Sequence, residues 1–272
     1  MNPMIRKELR QRMRERRAWL LPTLYLVALG GAVALAYYEV TSNSGNGQLQ
    51  GAEIGVAVFY TVVFTQMALL LLMAPVFSAG SVTIEKEQRT LGGLLTSLLT
   101  PLQVWWGKYV AALLFLVLLL VCSLPVLSLS FSLGGIGPRD VGKATGVTFL
   151  VLASISAIGL YCSSFFRRSV HSTAVCYGVV IALTVLTFVA FLILASRWES
   201  TQIALGKPHD EPPRSIMATL YLNPFFSIVA VFLEPRQKGV QDWVLSLGCF
   251  ALVGALAGML AIRNLRRSGE QV

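Results

Sequence analysis

The sequence predicts an all-α membrane protein with six transmembrane helices. Hydrophobic residues make up 55% of the 272 residues. Charged residues make up only 13%, about half the roughly 25% typical of soluble proteins. The apolar residues are concentrated in runs without charge, each close to the roughly 20 residues that a helix needs to cross about 30 Å of hydrocarbon. Because the stretches between these runs are too short for a folded soluble domain, we predict a single polytopic bundle.

Six apolar runs have the length of a spanning helix. The predicted spans cover residues 18–38, 54–77, 109–131, 145–166, 173–195 and 243–262. They divide the chain into a leading segment at 1–17, a transmembrane domain at 18–263 and a tail at 264–272. The two longest connections are a loop at 79–108, after the second span, and a loop at 196–242, before the last span.

The distribution of Lys and Arg predicts the orientation of the bundle. Residues 1–17 contain seven basic residues, whereas the first loop, residues 39–53, contains none. Since cytoplasmic loops retain basic residues, we expect a cytoplasmic N-terminus. Six spans return the C-terminus to the same side. The loop at 79–108 is then cytoplasmic, and the loop at 196–242 lies outside.

The basic leading segment at 1–17 has an apolar side. Met4, Ile5 and Leu9 follow helical spacing, which favours an interfacial amphipathic helix whose cations lie near anionic headgroups. A basic anchor with solvated charges is the alternative. A cleaved signal peptide is disfavoured, although Ala34-Leu35-Ala36 imitates a cleavage site, because the apolar run is too long and five more spans follow.

An additional apolar stretch precedes the last span. Residues 215–233 are apolar but carry Asn223-Pro224 at their centre. A complete seventh span there would move the last basic residues to the outside. A re-entrant or interfacial segment that breaks at Asn223-Pro224 costs less, provided that the broken backbone is buried against other helices. We therefore predict the re-entrant or interfacial arrangement.

The interiors of the six predicted spans contain no Asp, Glu, Lys, Arg or His. Ion-coupled transporters and pumps place such residues within the bilayer, where a charge is costly and therefore usually functional. The predicted spans therefore carry no obvious charge on which a membrane potential could act. Any energy for transport is expected to come from outside this chain.

No nucleotide site or catalytic cluster is predicted in the chain itself. Gly137–Lys143 has the spacing of a phosphate-binding loop, but Ala144 replaces the Ser or Thr that would hold magnesium. His209, Asp210 and Glu211 are adjacent, yet they lie in a polar loop without a partner cluster. We predict no catalytic residue, no metal site, no cofactor bound by this chain and no nucleic-acid partner.

The loop at 79–108 is the most informative segment. A charged stretch from Ile84 to Arg89 runs into an apolar one that Pro101 ends. The leucines fall at helical spacing and give a short helix one apolar face at the membrane surface; they are Leu91, Leu94, Leu95, Leu98 and Leu99. Such a helix is either an interfacial connector or a lever on which a cytoplasmic partner acts.

The loop also resembles a known family, the type-two permeases of ABC transporters, which are mostly exporters. The matching residues, in order, are Glu85, Glu87, Thr90, Leu91, Leu94, Leu95, Pro101, Gly107 and Lys108. Further similarities are the opening Asn2-Pro3, the turn at 163–168 and Asn223-Pro224-Phe225. Two residues depart from the pattern: Arg89 stands where many members have Gly, and Gly92 where an acidic residue is common.

The resemblance implies a half-transporter in the bacterial inner (plasma) membrane. Two permease chains, identical or different, would pair, each with a separate cytoplasmic ATP-binding subunit that holds ATP and magnesium and performs hydrolysis. This chain would not itself be an enzyme. The loop helix would act as a coupling helix, and its partner contacts would include Glu85, Glu87, Arg89, Thr90, Leu91, Leu94 and Leu95.

Small residues within two spans are candidates for close helix packing. Ala28, Ala32 and Ala36 form a stripe on the first span, which we assign to the contact with the second permease chain. Gly254 and Gly258 on the last span are assigned to packing within one chain. The alternative to a permease is a polytopic scaffold or immunity protein that binds a partner through the loop at 79–108.

Overall fold

The structure is a computed structural model, and it describes residues 17–43, 51–89, 100–134, 136–204, 213–232 and 242–269. The regular structure within these residues is helical. The α-helices are α1 (Arg17–Asn43), α2 (Gly51–Ser78), α3 (Thr83–Glu87), α4 (Pro101–Leu133), α5 (Pro138–Phe165), α6 (Ser169–Ile181), α7 (Thr187–Ala204), α8 (Arg214–Met217), α9 (Pro224–Phe232) and α10 (Asp242–Gly269). A π-helical turn at Ala182–Leu186 joins α6 to α7, and a 3₁₀ turn at Ala218–Leu220 follows α8.

The prediction of six membrane-spanning helices is confirmed for the described residues. Six helices are long and apolar enough to cross a membrane, with α6, the π-helical turn and α7 forming one of them, hereafter helix α6–α7. Continuous helix is the expected form, since backbone groups in hydrocarbon must be satisfied within the segment. The predicted interfacial helix at 1–17, apart from Arg17, and residues 270–272 of the tail lie outside the described residues.

Helix α4 begins earlier than the sequence predicts. Pro101, expected only as the end of a loop helix, is the first residue of α4, where its fixed φ and missing N–H are tolerated. Thr100 and Gln103 cap this start reciprocally: the Thr100 N–H donates to Gln103 Oε1 at 3.0 Å, and the Gln103 N–H to Thr100 Oγ1 at 3.3 Å. Lys108, placed in the loop by the sequence, therefore lies inside the helix.

Helix α5 is the most buried of the six long helices. In its most apolar stretch 67% of the residues are buried, and it packs against α2, α4 and α10. Gly159 permits the close approach of α5 to the end of α2, because a Cβ atom there would lie 1.9 Å from Ser78 Oγ. The shared core contains large apolar side chains, among them Phe59, Met67, Leu116, Leu152 and Ile155.

The helical structure is interrupted before Pro224, where the sequence predicts a break at Asn223-Pro224. Asn223 is the N-cap of α9: its Oδ1 accepts hydrogen bonds from the N–H groups of Phe225 at 2.9 Å and Phe226 at 3.2 Å. Pro224 occupies the first helical position. With nine residues, α9 is about 14 Å long and too short to cross the hydrocarbon.

Candidate functional site

Exposed arginines collect at one end of the bundle, which we call the basic end. α2, α5 and α10 finish there, and α4 and α6 begin there. Its exposed cations are Arg89, Arg167, Arg168, Arg263, Arg266 and Arg267. The first part of the loop at 79–108 lies at this end, so the candidate site is built around residues 79–89, hereafter the docked segment.

A buried ion pair joins the docked segment to α4. Lys108 is 1% exposed, and its Nζ lies 2.9 Å from Glu85 Oε1 and donates a hydrogen bond to the Ser81 carbonyl at 2.8 Å. The Glu85 side chain is 13% exposed. An ion in a low-dielectric setting is tolerated when it is paired and hydrogen-bonded. The start of α4 and helix α3 are therefore held together by charge as well as by packing.

A second contact joins the docked segment to the end of α5. Ser163 Oγ accepts hydrogen bonds from the N–H groups of Val82 at 2.8 Å and Thr83 at 3.0 Å. Lys86 Nζ donates to the last carbonyls of the helix, those of Ser163 at 3.2 Å, Phe166 at 3.0 Å and Ser164. These carbonyls have no intrahelical partner and carry the negative end of the helix dipole. Lys86 therefore caps α5 from another element.

A third contact joins the docked segment to the start of α6. Glu87 Oε1 accepts a hydrogen bond from the Ser169 N–H at 2.6 Å, and Ser172 Oγ donates to the Ala79 carbonyl at 2.8 Å. A carboxylate at a helix N-terminus satisfies a free N–H and interacts favourably with the positive end of the dipole. Lys86 and Glu87 thus place opposite charges on the two helix ends that flank the turn at 166–168.

The predicted partner-binding residues take different positions. The Glu85 carboxylate is turned inward to Lys108, whereas Glu87 and Arg89 are exposed at the surface of the basic end. Their contact with a partner stays a prediction. The other four residues assigned to this contact, Thr90, Leu91, Leu94 and Leu95, lie outside the described residues, as does the predicted coupling helix itself.

Arg89 has an unusual backbone conformation. Its φ is 57°, the only positive value among the non-glycine residues that the structure describes. This left-handed conformation costs an L-residue with a Cβ roughly 1–2 kcal/mol relative to glycine. The strain gives a physical reason why glycine suits this position. The arginine adds a cation to the surface at that cost.

The small residues of the first and last spans differ in their surroundings. Ala28 and Ala32 are half-buried, whereas Ala36 is 5% exposed and belongs to the core of the chain itself. A Cβ at Gly254 would lie 3.0 Å from Ser154 Cα, and one at Gly258 would lie 3.0 Å from Trp105 Cζ2. Both glycines therefore lie where α10 approaches α5 and α4 within one chain.

The other motifs take ordinary structural positions where they are described. Gly137 precedes α5, and its N–H donates to Asp140 Oδ2 at 3.3 Å, so the Gly137–Lys143 motif forms the start of a helix. His171 is exposed near the start of α6, and residues 209–211 lie outside the described residues. Within the described ranges, no three His, Cys, Asp or Glu residues are grouped closely enough to hold a metal ion.

Sequence reasoning missed the attachments made by Lys86, Lys108 and Ser163. A usable signal existed for Lys108, because it is a single cation between Trp105-Trp106-Gly107 and a long apolar run. A charge in such a position requires a buried partner, and the nearest acidic stretch is Glu85 to Glu87. No comparable signal marks Ser163 or the carbonyls that Lys86 caps, since these contacts depend on how α3 lies against α5.

Comparison with known protein families shows which family the chain belongs to. A family model described as ABC-2 family transporter protein matches residues 3–263. No significant match is found among curated proteins. The match covers the first five long helices, the docked segment and most of α10, and it confirms the resemblance seen in the sequence. The chain belongs to the ABC-2 transporter family and is the membrane-spanning permease subunit of an ABC transporter, in which ATP hydrolysis is carried out by separate subunits.

Proposed function

We propose that this chain is the permease of an exporter and receives mechanical work from an ATP-binding subunit through the docked segment. The observation that carries the proposal is the buried Glu85–Lys108 ion pair at 2.9 Å. Together with the contacts of Lys86 and Glu87, it ties the docked segment to α4, α5 and α6. A displacement of the docked segment would therefore move these helices together.

Exposed groups on the docked segment suit a protein partner. Glu87 and Arg89 present opposite charges at its surface, and Arg167 and Arg168 lie in the neighbouring turn. Charges of both signs at an interface contribute more to the orientation and specificity of binding than to its affinity. In this proposal Glu85 contributes indirectly, because its carboxylate fixes α3 to Lys108 and so positions Glu87 and Arg89 for the partner.

The charge distribution supports a cytoplasmic basic end. Its exposed arginines are the residues that the positive-inside rule retains in the cytoplasm. Both termini would then be cytoplasmic, and the permease would lie in the plasma membrane of a bacterium as a multi-pass protein. ATP and magnesium would bind to the partner subunit and not to this chain. The segment from α8 to α9 would enter the bilayer from the outer side.

Two long helices support pairing with a second permease chain, the same or a related one. Only 6% of the residues in the most apolar stretch of helix α6–α7 and 17% of those in α1 are buried within the chain. Large uncovered apolar faces mark contact with lipid or with another helix. Ala28 and Ala32, which are half-buried on α1, would allow close approach of the second chain.

The decisive experiment is site-specific crosslinking to an ATP-binding subunit co-expressed with this chain. Gln88→Cys, at an exposed uncharged position between Glu87 and Arg89, labelled with a photo-reactive maleimide, should crosslink to that subunit in membranes. Glu39→Cys is the matched control and should not crosslink. Glu39 is exposed near the end of α1, which lies beside the end of α4 and away from the basic end. Wild type treated with the same maleimide controls for labelling of the native cysteines. Equal crosslinking from both positions, or none from Gln88→Cys, would contradict the proposed interface.

Coupling is tested separately by ATPase measurements on the reconstituted complex. The permease should change the ATPase rate of the subunit, since coupled machines make hydrolysis depend on the conformation of both parts. A chain that binds the subunit but leaves its ATPase rate unchanged would instead support a scaffold without transport function.

A further inference from the structure

We propose that Asn223 is a latch between the α8–α9 segment and helix α6–α7, and that the π-helical turn at Ala182–Leu186 is the hinge it controls. The coupling of this hinge to ATP rests on the proposed function. The latch itself is a property of this chain alone. Asn223 is thus a positioning residue, acting through the helices that it connects.

Every polar atom of the Asn223 side chain is engaged. Its Nδ2 donates hydrogen bonds to the Thr184 carbonyl at 2.9 Å and to Thr187 Oγ1 at 3.0 Å, while its Oδ1 caps α9. The residue is 4% exposed. One amide therefore faces two elements: its oxygen holds the start of α9, and its nitrogen holds helix α6–α7.

The point of attachment is the irregular part of helix α6–α7. Thr184 lies within the π-helical turn, and Thr187 is the first residue after it. A π-helical turn disrupts the regular i to i+4 hydrogen bonds and is often found at functional sites. Such a turn in hydrocarbon needs side-chain donors for its displaced carbonyls, and the Thr187 hydroxyl supplies one to Leu183 at 2.6 Å. Asn223 supplies one at Thr184, near the middle of a helix that runs from Ser169 to Ala204.

The α8–α9 segment is also hydrogen-bonded to α10. Ser246 Oγ donates to the Tyr221 carbonyl at 2.7 Å and lies 2.7 Å from Ser227 Oγ, and Tyr221 Oη donates to Asp242 Oδ1 at 2.9 Å. These contacts lie on both sides of the break at Asn223-Pro224. We therefore treat the α8–α9 segment and α10 as one moving unit.

Aromatic packing places α9 beside α2 as well. The ring of Phe225 stacks on Phe64 with centroids 6.1 Å apart, and Phe232 meets Phe59 and Tyr60 edge to face at 5.5 and 5.4 Å. These apolar contacts are not directional in the way that hydrogen bonds are and tolerate sliding. Among the described side chains, the directional link from the α8–α9 segment to the π-helical turn is the Asn223 amide.

The latch is tested first on the full chain alone in lipid nanodiscs, by hydrogen exchange. Asn223→Ser keeps an N-cap oxygen for α9 but is too short to reach Thr184. We expect the amides of residues 184–189 to exchange about tenfold faster in this variant, since two hydrogen bonds at a buried site are lost. The amides of α9 should change by less than about threefold because the cap is retained.

Two further variants guard against a general loss of structure. Thr187→Val removes one of the two acceptors of Asn223 and also the hydroxyl that donates to the Leu183 carbonyl at 2.6 Å, so it should speed exchange at residues 184–189 while leaving α9 unaffected. Asn264→Ser makes the same chemical change as Asn223→Ser at the basic end and should leave those amides unaffected. Unchanged exchange at 184–189 in Asn223→Ser, or an equal increase throughout α9, would overturn the latch.

Coupling is tested in the complex with the ATP-binding subunit. A non-hydrolysable ATP analogue should increase exchange at residues 184–189 in wild type but have no further effect in Asn223→Ser. In the Ser227→Cys/Ser246→Cys variant, an oxidised disulfide would join α9 to α10, which we treat as one moving unit. The change in ATPase rate caused by the permease should therefore stay within about twofold of that in wild type. The hinge would be overturned if the ATP analogue left exchange at residues 184–189 unchanged in wild type. It would also be overturned if the disulfide abolished the ATPase response and a reductant restored it. If no subunit binds, the proposed function fails, while the nanodisc result still decides the latch.

Discussion

The Lys108 ammonium group lies 2.9 Å from the Glu85 carboxylate, and this buried pair fixes helix α3 to the start of α4. The two residues stand on opposite sides of the apolar loop at 90–99. Glu85 thereby anchors the docked segment, and its neighbours Glu87 and Arg89 are exposed charges. Under the proposed function, this attachment would pass a displacement of the docked segment on to α4.

Breaking this ion pair from one side should be costly. Lys108→Met leaves Glu85 buried without its cation, and we expect a loss of about 3–5 kcal/mol in the free energy of unfolding. Glu85→Met/Lys108→Met replaces both charges by apolar groups of similar size and should recover most of this loss. Thermal unfolding in detergent measures both. A double variant as unstable as Lys108→Met would contradict the assignment.

Removing the Glu87 carboxylate should loosen the start of α6. Glu87→Ala takes away the acceptor of the Ser169 N–H, and the loss of a cap at a helix N-terminus typically costs about 1 kcal/mol. Faster hydrogen exchange at residues 169–172 is the expected sign. Glu87→Gln keeps an acceptor oxygen and should show a smaller effect. If the two variants behave alike, charge rather than the hydrogen bond dominates this contact.

The positive φ of Arg89 permits its backbone and charge to be separated. Arg89→Ala removes the cation and keeps the strain, whereas Arg89→Gly removes both. We expect Arg89→Gly to be more stable to unfolding than Arg89→Ala by about 1 kcal/mol. Both should retain less of the ATP-binding subunit on co-purification. Full retention by both variants would show that the cation takes no part in partner binding.

Alanine substitutions at two glycines of α10 should change the stability of the protein in opposite directions. A Cβ at Gly254 meets the Ser154 backbone at 3.0 Å, so Gly254→Ala must separate α10 from α5 and should cost about 1–3 kcal/mol. Nothing lies within 4 Å of a Cβ at Gly248. Gly248→Ala should therefore stabilise α10 by about 0.5–1 kcal/mol. Unfolding temperatures compare them directly, and destabilisation by both would point to a packing surface at Gly248 as well.

The six long helices could be predicted from the sequence because the bilayer imposes a local requirement. An uncharged run of sufficient length must satisfy its own backbone, and each run satisfies this without reference to the others. The break at Asn223-Pro224 was also predictable, since a capping side chain followed by proline is a local signal for the start of a helix. The order of motifs in the loop at 79–108 sufficed to indicate the family.

Contacts between distant parts of the chain depended on the tertiary structure. Sequence alone placed Lys108 in a loop and Glu85 on a partner-facing surface, whereas packing brings the two together. The same holds for Lys86 on the carbonyls of α5 and for Asn223 on the Thr184 carbonyl. A hydropathy pattern records how long a residue's own helix is and which residues are apolar. Which buried polar group faces which is decided only when the helices have packed.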